Sequence, residues 1–217
     1  MSESTLYERL GGEKSVHARN YLLRHSGTKE DHMIRIPPLL AALVLILSGP
    51  TVAQALPTPD DPIAYAMSAG PPSIAADATI MDTEGNTLRA GTNDWTCIPM
   101  PGEPMCMDQQ WMAWADAYMN RHDEVNVTAV GLAYMLRGDE GASNIDPYAE
   151  GPTQDNDWVV TGPHLMMIVP DSALLEGIPT DPLVGGPYVM WRDHPLAHVM
   201  IPIDDTEVEM LYVADTQ

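Results

Sequence analysis

Phenylalanine is absent from these 217 residues, and no lysine occurs after Lys29. The first absence shifts the aromatic load onto five Trp and eight Tyr, and 15 Met take over gap-filling that Phe would otherwise share. The second contributes to a balance of 10 basic against 31 acidic residues, a formal net charge of −21. Such a surface repels phosphate backbones and anionic lipid, which argues against a nucleic-acid partner. The chain has no P-loop, no G-x-G-x-x-G fingerprint and no G-x-S-x-G elbow, so nucleotide chemistry and the common serine-hydrolase frame lack support. Its two cysteines are not spaced C-x-x-C, which disfavours redox catalysis.

The longest apolar stretch is also short. "MIRIPPLLAALVLILSGPTVAQA" runs from Met33 to Ala55, with an unbroken apolar core from Leu39 to Leu47. A spanning helix needs roughly 20 apolar residues, so this run does not reach across a bilayer. Arg35 supplies a positive start, Ser48-Gly49-Pro50 breaks the helix, and Ala53-Gln54-Ala55 is an A-x-A cleavage pattern. Residues 33–55 therefore read as a secretory signal peptide cut after Ala55. Residues 1–32 become an extended n-region or a mis-assigned start, and 56–62 a linker. Residues 1–55 hold six Lys/Arg and five Asp/Glu, so cutting them from totals of 10 and 31 leaves four cations against 26 acids, net −22. The four are Arg89, Arg121, Arg137 and Arg192. The acids are scattered, which fits a solvated surface; the sharper alternative is attraction for cations or basic partners.

Export also sets the cysteine chemistry. Cys97 and Cys106 are an isolated pair, and in an oxidising compartment such a pair reads as a disulfide. Closing so short a loop contributes about 2–3 kcal/mol in the chain-entropy model. The alternative is a thiolate site with Met100, Met105 and Met107, whose soft sulfur suits Cu(I).

The pattern of the remainder predicts an α+β domain over 63–204, mainly an antiparallel sheet packed against one Trp-rich helix and a smaller N-terminal helix. The small helix covers Ile63 to Ala69 and stops at Gly70-Pro71-Pro72. A hairpin turns at Glu84-Gly85-Asn86, and "DWTCIP" is a third strand. In "MDQQWMAWADAYMNRHD", Asp108 is a good N-cap, and Met107, Trp111, Trp114, Ala115, Tyr118 and Met119 recur at helical spacing. Four strand-like segments follow: "VTAVGLAYMLRG", "WVVTGPHLMMIVPD", "GGPYVMWRD" and "LAHVMIPID". Between the first two lies a polar loop of about twenty residues, long enough to be functional or mobile. Residues 205–217 read as a tail or an added edge strand.

"GTNDWTCIPMPGEPMCMD", "GLAYMLRGDEGASNIDPYA", "TGPHLMM" and "GGPYVMWRDHPLAHVMIPID" resemble a family of small, uncharacterised exported bacterial proteins over about residues 63–204. The resemblance implies an exported single domain and carries no activity with it. "LYERLGGEKSV" (Leu6 to Val16) resembles the opening of truncated haemoglobins for eleven residues, but no globin body follows and no haem is assigned.

Histidines offer the best chemistry. His194 and His198 form H-P-L-A-H, yet Pro195 argues against a shared helical face, and residues four apart in a strand sit about 13 Å apart. His164 on a neighbouring strand, opposite His198 and joined by His194, Met166 or Met200 and an acid such as Asp193, would suit copper or zinc. The simpler reading is half-buried imidazoles bonded to backbone. Among the serines, a Ser143–His–Asp grouping stays open because triads are defined by geometry. The expected function is therefore a periplasmic or secreted non-enzymatic binding or accessory domain, whose partner is a small molecule or an envelope protein. The mature chain has no transmembrane span in this reading. Copper or zinc binding is the first alternative, and a hydrolase assembled from distant segments the second.

Overall fold

The computed structural model describes residues 55–203 and 208–211. The signal peptide with Ala53, residues 1–32 and most of the 205–217 tail therefore lie outside the described residues. Asp61 opens the first helix, α1 (Pro62–Met67), by accepting the Ala64 amide, and Pro62 tolerates the first position because that N–H has no helical partner. Gly70 follows because the chain presses on a sulfur here: a Cβ at Gly70 would sit 2.9 Å from Cys106 Sγ. A second short helix, α2 (Pro72–Ala75), was not anticipated; Pro72 starts it rather than ending the first.

Strands β1 (Thr79–Met81) and β2 (Thr87–Arg89) form the expected hairpin, with Asp82 accepting the Glu84 and Asn86 amides and Gly85 at φ 87°. β3 (Thr96–Ile98) then pairs with β1 in parallel, the one parallel pair in the large sheet. β4 (Met105–Met107) returns antiparallel to β3, bringing Cys97 directly opposite Cys106 with Cα atoms 4.0 Å apart, and the two form a disulfide.

α3 (Gln109–Met119) begins at Asp108, whose Oδ1 accepts the Trp111 amide and whose Oδ2 accepts the amide of Leu132 on β5 (Gly131–Met135). One carboxylate thus caps the helix and pins it to the sheet. Gly131 makes the approach feasible, since a Cβ there would meet Gln110 and Ile168 below 3.0 Å. Trp111, Trp114 and Ala117 are buried among Ala133, Met166, Tyr188 and Met200.

The sheet continues through β8 (His164–Ile168), β10 (His198–Pro202) and β9 (Tyr188–Met190), giving eight strands ordered β2-β1-β3-β4-β5-β8-β10-β9. A second sheet of three strands joins β6 (Ala142–Ser143), β7 (Trp158–Val160) and β11 (Glu209–Leu211). The segment "WVVTGPHLMMIVPD" is therefore not one strand. Gly162-Pro163 splits it, sending Trp158–Val160 to the small sheet and His164–Ile168 to the large one; proline lacks the amide a continuous ladder needs. The long polar loop likewise contains β6. No helix among the described residues is long and apolar enough to cross a membrane.

Candidate functional site

His164 and His198 each open a strand, and each uses the same local device. His164 Nδ1 lies 2.7 Å from Gly162 O and His198 Nδ1 lies 3.0 Å from Leu196 O, a carbonyl two residues back in both cases. A carbonyl only accepts, so Nδ1 carries the proton and Nε2 keeps its lone pair. The short motifs Pro163-His164-Leu165-Met166 and Ala197-His198-Val199-Met200 thus share a hydrogen bond as well as a pattern.

The register does not place the two rings opposite one another. β8 and β10 are neighbours, but His164 pairs with Pro202 and Met166 with Met200. The histidines sit at opposite ends of the strand pair, with the methionines between them. A two-residue pattern tells which face a side chain takes, not how far the partner strand has slid. His198 is enclosed edge-on by Trp111, Trp114 and Trp191, with ring centroids 4.9–5.6 Å away. Burial pushes its pKa down to about 4. His194 lies instead in a turn at the surface, its Nδ1 accepting the Leu196 amide and its ring edge-on to Tyr148. The set His164, His194, His198, Met166 and Met200 is therefore not gathered at one point, and among the described residues no three His, Cys, Asp or Glu converge as a metal site.

What gathers around His164 is different. Asp139 follows the Gly138 turn, where a Cβ would strike Thr161 O at 2.9 Å. Its amide donates to Thr161 O, and its Oδ1 accepts the Thr161 amide at 2.8 Å. The other oxygen, Oδ2, lies 3.9 Å from His164 Nε2. Thr161 Oγ1 is 3.2 Å from Tyr188 Oη, completing a buried polar group between β5, β8 and β9. Burial raises the Asp139 carboxyl to about 7 against the pull of the Thr161 amide, and the Glu103 charge adds to the rise. Burial lowers His164 to about 4, so at neutral pH the ring is neutral and the 3.9 Å separation is no ion pair. Asp139 does not stand out in a sequence where acids are common throughout; the one local clue is a Gly-Asp turn leaving a strand.

A second feature is a cleft of about 500 Å³ lined by Asn144, Asp157, Thr180, Asp181, Asp193 and His194, with Trp191 and Arg192 in its wall. Trp191 adopts φ 56° and Asp157 φ 45°, left-handed backbone that a bulky residue such as Trp191 pays strain to hold. Its ring offsets that cost by stacking on Trp114 and Tyr118, and its Nε1 donates to Ser143 O at 2.6 Å. Ser143 itself donates to Asn156 O and accepts the Ile145 and Asp146 amides, so its hydroxyl organises the loop and no histidine activates it.

None of the four described arginines forms an ion pair with a carboxylate among the described residues. Arg89 donates to the Ala75 and Ala78 carbonyls, and Arg192 to those of Leu175 and Ile178. Arg121 lies over Tyr148 and Arg137 over Tyr65. The close approaches of a carboxylate to a basic side chain among the described residues are instead to histidines, Asp116 to His122 Nδ1 at 3.8 Å and Asp139 to His164 Nε2 at 3.9 Å. Arg192 is the one arginine in the cleft's lining, so three carboxylates face a single guanidinium there. No family model, curated protein or solved structure matches this chain.

Proposed function

We propose that the chain is an exported binding or accessory domain of the bacterial envelope, freed of residues 1–55, whose cleft takes a positively charged group of a small molecule or envelope protein. The carrying observation is the cleft's charge: Asp157, Asp181 and Asp193 line it against one cation, Arg192, whose guanidinium is held by two backbone carbonyls and pairs with none of these acids. Low-dielectric walls around like charges focus the field and favour a cation over water. A disulfide is in keeping with maturation outside a reducing compartment. The spent hydroxyl of Ser143 favours binding over hydrolysis.

Two measurements test this reading. N-terminal sequencing of native protein should return Leu56 as the first residue; an intact leader on cytosolic material would sink the export half. Calorimetry with a tri-arginine peptide as probe should show binding that weakens with salt and falls at least about tenfold in Asp157→Asn/Asp193→Asn, a loss of roughly 1.4 kcal/mol. Binding unchanged by the double substitution would end the cleft half.

A further inference from the structure

His164 Nε2 is a lone pair that meets no hydrogen-bond donor among the described residues, on a ring of zero side-chain exposure. Leaving a buried acceptor unpaired is costly, so the arrangement calls for an electrophile. The group it faces is Asp139 Oδ2 at 3.9 Å, too far for a hydrogen bond whether or not that carboxyl holds a proton. A proton shared between them would need a separation of roughly 2.7–3.2 Å. A divalent metal bound at about 2.0–2.2 Å to each spans just this range, at a wide ligand–metal–ligand angle.

We infer that Asp139 Oδ2 and His164 Nε2 are two ligands of a divalent transition-metal site of the zinc type. Both are already aimed. The Gly162 carbonyl fixes the His164 ring through Nδ1, the outer-shell bond that metal-ligating imidazoles commonly make, and the Thr161 amide holds the other Asp139 oxygen. An imidazole–carboxylate pair selects zinc-like ions over magnesium or calcium, which prefer all-oxygen shells. Extra negative charge stands nearby: the Glu103 charge acts on Asp139, and Glu140 acts in turn on Glu103. The disulfide loop between Cys97 and Cys106 carries Glu103 to this rim, where Gly102 closes on the Glu140 carboxylate. With two protein ligands, the remaining positions fall to water. Asp139, whose side chain is 10% exposed, is the side from which an ion enters. This site is separate from the acidic cleft, and its fate does not depend on the cleft's ligand.

The test uses the full mature chain, stripped by chelation and titrated with Zn²⁺ by calorimetry. The expected result is one saturable site per chain, weakened at least about tenfold by Asp139→Asn and by His164→Gln, and untouched by the exposed Glu150→Gln. Equal binding by Asp139→Asn, or no saturable binding by the native chain, overturns the site. Should His164→Gln fail to fold, zinc-edge X-ray absorption on the loaded native protein decides. A single imidazole nitrogen among oxygens supports the assignment, and an oxygen-only shell or two or more imidazoles refutes it.

Discussion

Of the three hydrophobic clusters on the large sheet, the two beneath its helices are made of opposite materials. Against α1 and α2 the buried set is Ala66, Ala69, Ala75, Ala78 and Ile80 with the two cysteines. Against α3 it is Trp111, Trp114, Tyr188 and Trp191 with Met107, Met135, Met166, Met190 and Met200. An alanine methyl removes little apolar area from water, whereas an aromatic side chain buries about 150–250 Å². The small-residue side compensates by other means. A covalent bond joins its two central strands, and Arg89 ties β2 to the carbonyls of Ala75 and Ala78. One region is held mainly by burial, and the other adds a cross-link and polar ties to a thin core.

The strongest way to break this contrast is Trp111→Ala. Trp111 has zero exposure and packs on Trp114 and His198, so its loss should cost about 3–5 kcal/mol and unfold both regions together, as chemical denaturation would read. A milder probe is acid. The folded-state pKa of His198, about 4, lies below the ordinary 6.5, so between those values the unfolded chain takes up a proton that the folded one refuses. The contribution is fully present above about pH 6.5 and disappears as pH falls toward 4, on the order of 3 kcal/mol. A stability–pH curve for His198→Gln should lack that component; an unchanged curve would remove the enclosed imidazole as its source. Smallest is reduction of Cys97–Cys106, expected to cost about 2–3 kcal/mol. Hydrogen exchange should quicken over 62–107 while the amides of β8 and β10 stay protected. Equal loosening on both sides would show that the clusters do not behave as separable regions.

Much of the local structure was legible beforehand. Asp108 and the three- and four-residue spacing of Trp111, Trp114 and Tyr118 placed α3 to within a turn. Gly85 and Asn86 marked the hairpin, and the two cysteines marked their own bond. Less legible was everything that depends on a distant partner. The parallel pairing of β1 with β3 has no local signature, because parallel and antiparallel strands alternate alike. The division between β7 and β8 did leave a trace, Gly162-Pro163, but the apolar runs on either side concealed it. The site suffered most. His164 was visible as an imidazole, while its neighbour Asp139 was one acid among many until the Gly138 turn folded it against Thr161.

Side-chain periodicity, capping chemistry and turn residues act within a few positions, so composition and order alone decided the helix, the hairpin turn and the abundance of uncompensated acid. Register and sheet membership are set by contacts between segments tens of residues apart, where a one-step slide reverses every face. That is why only the folded chain could separate His164 from His198 and set Asp139 beside the first of them.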